Sequence, residues 1–81
     1  MDPSYLKDLL RRGREVEFDY GAHRYVLKHI DYRSTEEYAF GRKWGEKVTS
    51  DYFDDILYRH YYGASLSEML SEIGSSSIYV Y

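Results

Sequence analysis

The sequence contains no cysteine among its 81 residues. This absence excludes disulfide bonds, thiolate catalysis and cysteine-based zinc sites, and it fits a reducing compartment. No apolar run approaches the ~18 residues that a membrane-spanning helix needs, and the amino-terminal stretch has no signal-peptide core. We therefore expect a cytoplasmic protein that does not contact a membrane.

The sequence also lacks an excess of basic residues, since 11 lysines and arginines stand against 14 acidic residues. The net charge of −3 does not provide the basic footprint of general DNA or RNA binding. A chain of this length makes one domain with a modest core. Its 11 tyrosines exceed what such a core hides, so several are expected to contact solvent or a partner.

No catalytic or metal-binding constellation is recognisable. His23 and His29 share a strand face, but at about 3.4 Å per residue they lie roughly 20 Å apart and cannot bind one ion. The sequence has no Ser-His-Asp order, no H-E-x-x-H motif and no convincing carboxylate pair. Asp51, Asp54 and Asp55 lie where a helix begins, so helix capping and the helix dipole explain them. We expect a protein that is not an enzyme and needs no cofactor.

One β-hairpin, from Arg14 to Tyr32, organises the chain. Apolar and charged residues alternate strictly along its first arm, which is typical of a half-buried strand, and Gly21-Ala22 favours a type II′ turn. The turn sets residues whose numbers sum to 43 opposite each other. The expected pairs are Phe18 with Tyr25, Val16 with Leu27, Asp19 with Arg24, and Glu15 with Lys28. A slip of one residue would break the apolar and the charge matches together.

Three helices and a further strand are expected around this hairpin. Their boundaries follow from caps, glycines and apolar spacing. The expected helices are residues 3–12, capped by Asp2; a short one capped by Ser50 or Asp51 and ending near Tyr58; and one opened by the Ser65–Glu68 capping box and closed by Gly74. A polar loop at 33–36 precedes a strand at 37–42, and residues 46–49 form a turn or a short edge strand.

This order predicts an α+β fold: an antiparallel sheet of three, possibly four, strands with helices on one face, in the order α-β-β-β-α-α. Residues 1–74 form the single domain. Residues 75–81 form a tail in which Ser75–Ser77 is a flexible spacer and Ile78–Tyr81 either frays or docks on a sheet edge.

Four stretches occur in an order that resembles a group of small uncharacterised proteins from phages and mobile elements of Gram-positive bacteria. They are Gly13–Tyr20 (GREVEFDY), Arg24–Val26, Ser50–Leu57 and Gly63–Leu70. The group typically shows G-R-E-[IV]-E-F-x-Y, S-F-D-E-L-L and G-K-S-L-x-E-I. Here Ala64 replaces the usual lysine and Asp51-Tyr52 is inserted before Phe53. The resemblance supports the fold order and implies no catalytic residues. In size, acidity and topology the chain is also similar to some anti-CRISPR proteins.

The first functional hypothesis is a non-enzymatic inhibitor, anti-CRISPR-like, that occupies the functional surface of a host-defence protein such as a nuclease. Tyrosines would be the anchors, and acidic groups would complement a basic surface. The candidate residues are Tyr58, Arg59, Tyr61 and Tyr62, with Asp51, Asp54, Asp55, Glu36 and Glu37.

Two alternatives stay open. An indole flanked by cations suits a nucleotide base and its phosphates, so Arg42, Lys43 and Trp44 predict an oligomeric module that sequesters a nucleotide. The chain is alternatively an accessory interaction domain that associates with itself through Ile78–Tyr81.

Overall fold

The expected hairpin forms the centre of the sheet. The structure is a computed structural model that describes residues 1–32 and 35–81. Strand β1 (Val16–Tyr20) pairs antiparallel with β2 (His23–Tyr32). The register sets Phe18 opposite Tyr25 and Val16 opposite Leu27, as predicted. Gly21 takes a φ of +60°, a backbone conformation that costs glycine little, so the reversal fits into two residues.

The sheet has five antiparallel strands, so the predicted α+β class is confirmed and the sheet is larger than expected. The additional strands are β3 (Thr35–Arg42), β4 (Lys47–Ser50) and β5 (Ile78–Val80). Their order across the sheet is β4-β3-β2-β1-β5. Within the predicted loop at 33–36, Thr35 and Glu36 belong to β3, and positions 33 and 34 lie outside the described residues. β3 extends further because a long β2 offers it partners as far as Tyr32.

The tail completes the sheet. Val80 lies opposite Val16 and Ile78 opposite Phe18, so β5 is an edge strand beside β1. Glu15 and Tyr81 extend this pairing by exchanging two backbone hydrogen bonds of 3.3 and 2.8 Å. The predicted contact of Glu15 with Lys28 therefore falls one residue before β1 begins. Ser75–Ser77, expected to be a spacer, forms a single 3-10 turn.

Three helices pack on one face of the sheet: α1 (Pro3–Arg11), α2 (Phe53–Tyr58) and α3 (Leu66–Glu72). Asp2 caps α1 by accepting a hydrogen bond from the Ser4 amide at 3.4 Å. The predicted box at α3 is present, with the Ser65 hydroxyl accepting from the Glu68 amide at 3.1 Å. Helix α2 ends at Tyr58 as predicted, but its predicted cap at Ser50 or Asp51 was wrong, because the N-cap residue is Tyr52 and its side chain makes no capping hydrogen bond.

The core lies between this helical layer and the covered face of the sheet. Phe18, Tyr25 and Phe40 stack from strand to strand, with ring centroids 5.4 to 6.3 Å apart. Each helix adds three buried residues: Leu6, Leu9 and Leu10 from α1, Phe53, Ile56 and Leu57 from α2, and Leu66, Met69 and Leu70 from α3. The helices thus cover one face of the sheet and form the core with it.

Candidate functional site

One cleft of about 390 Å³ lies where β3 begins and α2 starts. We call it the acidic cleft. Its lining is Lys7, Arg11, Glu36, Tyr38, Asp51, Tyr52, Phe53, Asp54 and Asp55. The tertiary structure therefore gathers four of the five predicted acidic partner-binding residues, although Glu36 is distant from the others in sequence. The fifth, Glu37, alternates to the other face of β3 and lies outside this cleft.

The turn before α2 positions the carboxylates of the cleft. The Ser50 hydroxyl accepts a hydrogen bond from the Tyr52 amide at 3.1 Å and donates one to the Asp55 carboxylate at 3.0 Å. This local link holds the chain at the start of α2 and leaves Asp54 in the first helical turn, where the helix dipole favours a negative charge. Asp51 and Asp54, which the sequence analysis explained by capping and the helix dipole, are thus also exposed to solvent.

The carboxylates of the cleft differ in how far they are already neutralised. Arg11 contacts Glu36 at 3.2 Å, and Arg59, the residue that follows α2, lies 3.6 Å from Asp55. Asp51 and Asp54 are exposed and make no ion pair within residues 1–32 and 35–81. The negative charge that remains for a partner is therefore concentrated on these two side chains.

A buried imidazole lies beside the cleft. The His29 side chain is 9% exposed, and its ring packs against Tyr38, with centroids 5.1 Å apart. Its Nε2 is 3.9 Å from the Glu36 carboxylate, which is beyond hydrogen-bond distance, and it has no hydrogen-bond partner in the described part of the chain. A buried polar atom without a partner is uncommon. The sequence favoured a solvated or packed imidazole over a metal ligand here, but it did not predict the position of His29 beside the cleft.

The aromatic segment that follows α2 is divided between core and surface. Tyr58, 59% exposed, and Arg59 present their side chains to solvent. Tyr61 packs against the core, and the Tyr62 ring meets Tyr25 and Phe40 edge-on at 5.3 and 5.6 Å. Burial raises the pKa of the Tyr62 hydroxyl. Of the four residues predicted as anchors, Tyr58 and Arg59 are the two whose side chains are free of the core.

A second cleft, of about 330 Å³, lies at the opposite end of the sheet. We call it the tryptophan cleft. Two turns form it, one joining β1 to β2 and one joining β3 to β4, and the Lys43 amide donates a 2.8 Å hydrogen bond to the Arg24 carbonyl between them. Its lining is Ala22, His23, Arg24, Arg42, Lys43, Trp44 and Gly45. The predicted nucleotide-binding residues Arg42, Lys43 and Trp44 therefore share one cavity.

The cations of the tryptophan cleft are already engaged with the protein. Arg24 contacts Asp19 at 2.7 Å and Glu17 at 3.2 Å, and these hydrogen bonds raise the pKa of its guanidinium. Lys43 reaches Glu17 at 3.1 Å and lies 5.4 Å from the indole of Trp44. Trp44 itself is 86% exposed. The indole is thus the group most available to a ligand here.

His23 and Arg24 were missed by sequence reasoning as members of this cleft. The signal was present in the hairpin register, which sets both residues beside the β1–β2 turn. What was lacking was the register between β2 and β3, in which Tyr25 lies opposite Arg42. That pairing brings the two turns together.

Comparison of the chain with protein-family models, curated proteins and solved structures gave no significant match. The resemblance to phage and mobile-element proteins therefore stays a prediction from motifs. Across the described ranges, no cluster of three or more histidine, aspartate or glutamate side chains has a geometry suited to a metal ion. Nor does any helix of those ranges have the length and apolar character required to cross a bilayer.

Proposed function

We propose that this chain is a non-enzymatic protein of phage or mobile-element type that inhibits a host-defence protein in the host cytoplasm. The acidic cleft is the surface that contacts the target, and the target is a nuclease whose nucleic-acid-binding surface is basic. Inhibition is steric, because a surface occupied by the inhibitor cannot bind its nucleic acid. This is the anti-CRISPR-like mode of action.

The observation that carries the proposal is the pair of exposed carboxylates, Asp51 and Asp54, with which no cation of the described residues forms an ion pair. Two carboxylates beside a concave surface complement lysine and arginine side chains that normally hold phosphates. Such pairs steer association at low salt and fix the orientation of the complex. Lys7 and Arg11, which also line the cleft, limit its net negative charge and favour a target with a defined pattern of charge.

Exposed aromatic rings on the same element support the proposal. Tyr52 is 71% exposed, and Tyr58 is 59% exposed at the other end of α2. Tyrosine provides a large contact area at low cost in side-chain entropy, because its ring has only two rotatable bonds. The two rings and the two carboxylates all lie on α2 or in the two residues before it. The short helix therefore determines their spacing.

The proposal is tested by measuring DNA cleavage by a panel of purified guide-RNA-loaded nucleases in the presence of the chain. We expect one of them to be inhibited, and Asp51→Asn/Asp54→Asn to weaken that inhibition by at least about tenfold, equivalent to ~1.4 kcal/mol of binding. The matched control is Glu15→Gln/Glu46→Gln, which changes the net charge equally at exposed positions away from the cleft. Equal inhibition by the two double variants would remove the acidic cleft from the mechanism.

Salt provides a second readout. An interaction between exposed charges weakens as the Debye length shrinks from about 10 Å at 0.1 M salt to about 3 Å at 1 M. Inhibition by the native chain should therefore decline with ionic strength, and inhibition by Asp51→Asn/Asp54→Asn should depend on it less. A native chain that inhibits no nuclease of the panel at any ionic strength contradicts the proposed target.

A second candidate function is nucleotide sequestration at the tryptophan cleft. The observation that favours it is an indole that is 86% exposed at the mouth of a cavity also lined by Arg42 and Lys43. Stacking of a base on an aromatic ring contributes about 1–3 kcal/mol. Calorimetry against a panel of nucleotides tests it, with Trp44→Phe expected to retain binding and Trp44→Ala to lose it. No heat with any nucleotide eliminates this function.

A further inference from the structure

The outer edge of β5 carries unpaired backbone groups in a defined pattern. Tyr81 exchanges two hydrogen bonds with Glu15, so in an antiparallel ladder the polar groups of Tyr79 and Tyr81 point toward β1. Those of Ile78 and Val80 consequently point away from the sheet. The Ile78 amide donates to the Ser75 carbonyl within the 3-10 turn. Within residues 1–32 and 35–81, the groups left without a partner at this edge are the Ile78 carbonyl and the Val80 amide and carbonyl.

Natural edge strands are usually protected from pairing by being very short, or by lysine, proline or a bulge. β5 is short, at three residues. β5 reads Ile-Tyr-Val and has neither a charged residue nor a proline. The opposite edge, β4, carries Lys47, whose ammonium donates to the carbonyls of Lys43 and Gly45 at 2.9 Å each. The two edges therefore differ, and β5 is the one suited to accept another strand.

An apolar groove of about 380 Å³ runs beside this edge. Met1, Tyr5, Ile73, Ile78 and Val80 line it, together with Asp2 and Ser75. Tyr5 is exposed, and Val80 is 38% exposed. The side chains of Ile78 and Val80 thus contribute to an apolar surface, while the backbone groups of the same residues form the unpaired edge.

We propose that the occupant of this edge is a second copy of the chain, related by a two-fold axis at Tyr79. The Val80 amide of each copy donates to the Ile78 carbonyl of the other, and the two grooves join. The reason is that the edge is self-complementary. The Val80 amide and the Ile78 carbonyl lie symmetrically on either side of Tyr79, as an isologous interface requires. The product is a continuous ten-stranded antiparallel sheet.

In this arrangement the two Tyr79 residues form a non-hydrogen-bonded pair, in which Cα atoms are about 4.5 Å apart. Their rings lie on the face of the sheet opposite the helices, where the ring of Tyr79 already stacks on the Arg24 guanidinium at 4.5 Å. Ile78 of one copy is set beside Val80 of the other on the helical side. Apolar area is thus buried next to the new hydrogen bonds.

Sedimentation of the full chain tests the proposal, with Val80→Pro as the principal variant. Proline at position 80 would remove the amide that points outward but would break no hydrogen bond to β1. Such an edge position tolerates proline. We expect the native chain to be a dimer, Val80→Pro to raise the dissociation constant at least about tenfold, and Val80→Ala, which keeps the amide, to raise it less. Equal effects of the two variants, or a monomeric native chain, overturn the proposal.

A cross-linking experiment covers the case in which Val80→Pro does not fold. The chain has no cysteine, so Tyr79→Cys introduces a single thiol at the two-fold axis, where the expected Cα separation of about 4.5 Å permits a disulfide. Mild oxidation should convert Tyr79→Cys to a covalent dimer and leave the exposed control Tyr58→Cys monomeric. Absence of the Tyr79→Cys dimer overturns the self-pairing. β5 and the acidic cleft are separate surfaces, so this result does not bear on the proposed inhibition.

Discussion

The side chain of Arg24 connects three strands of the sheet. Its guanidinium bonds the carboxylates of Asp19 and Glu17 and stacks on the ring of Tyr79. It therefore joins β1, β2 and β5 on the face that no helix covers. Glu17 is 6% exposed there, and a buried carboxylate is stable only when cations contact it. Arg24 and Lys43 together meet this requirement.

The pH dependence of stability follows from the same network. The hydrogen bond from Arg24 holds the pKa of the Asp19 carboxyl below its ordinary value of 3.8. Because the folded state favours the ionised form, this contribution to the free energy of unfolding is present above pH 3.8 and is lost as the pH falls through the lowered pKa. We expect Asp19→Asn to be less stable at pH 7 and to lose less stability on acidification, with a slope smaller by up to about one proton.

Urea unfolding between neutral and acidic pH measures this difference. Asp31→Asn removes an exposed carboxylate at the other end of β2 and is the control. An acid limb of unchanged slope in Asp19→Asn would show that the Asp19–Arg24 hydrogen bond does not couple folding to protonation.

A glycine is required at position 41 because the backbone of Glu46 and Lys47 approaches it closely, and not because of an unusual φ. A Cβ atom there would clash with the carbonyl of Glu46 and lie 2.9 Å from the Lys47 Cα. Since backbone atoms cannot move aside easily, we expect Gly41→Ala to lower the free energy of unfolding by about 1–3 kcal/mol. Gly45→Ala is the control, because its Cβ would meet nothing closer than 3.5 Å, and a change within about 0.5 kcal/mol is expected. Equal denaturation midpoints for the two variants contradict the packing argument.

At the scale of elements, the helices depend on tertiary contacts as well as on their caps. α2 has six residues and α3 has seven, and isolated helices shorter than about 12–15 residues are marginal in water. Each nevertheless buries three apolar residues against the sheet. Packing therefore holds the helices in place, and side-chain caps mark where α1 and α3 begin.

The capping box of α3 gives a test of this view. Ser65→Ala removes the acceptor for the Glu68 amide, and we expect it to cost about 1 kcal/mol of stability. Ser67→Ala makes the same chemical change inside the helix, where alanine is the better helix former, and should be neutral or slightly stabilising. Chemical denaturation of both variants measures the difference. A loss at Ser67→Ala as large as that at Ser65→Ala would argue against the cap.

At the scale of the whole molecule, the two clefts lie at opposite ends of the strands. The acidic cleft lies where β3 begins, and the tryptophan cleft lies where β3 ends, roughly 20 Å away at about 3.4 Å per residue. A partner of modest size therefore contacts one end without the other. The separation makes the two candidate functions independently testable in one molecule.

Some tyrosines pack against the core and others lie on the surface. Tyr62 is half-buried against Phe40 and its hydroxyl donates to the Glu46 carbonyl at 3.4 Å. We expect Tyr62→Ala to lose about 2–3 kcal/mol of stability, while Tyr62→Phe, which keeps the ring, loses about 1 kcal/mol or less. Tyr58→Ala should leave the melting temperature nearly unchanged and reduce target binding alone. A strongly destabilised Tyr58→Ala would contradict this division.

The sequence by itself determined the hairpin register, two of the three helix caps and the α+β class. These features depend on residues close together in the chain: alternation along β1, the glycine turn, and Ser65 three residues before Glu68. Such short-range interactions can be read from spacing because the backbone geometry between the residues is nearly fixed.

Only the tertiary structure decided which tyrosines are buried, that the tail becomes β5, and that Glu36 joins Asp51 and Asp54 in one cleft. Each of these depends on contacts between residues distant in sequence, whose geometry no local spacing specifies. β5 illustrates the reason. Its three residues are held as a strand by pairing with β1, and a segment so short has no stable structure of its own in water.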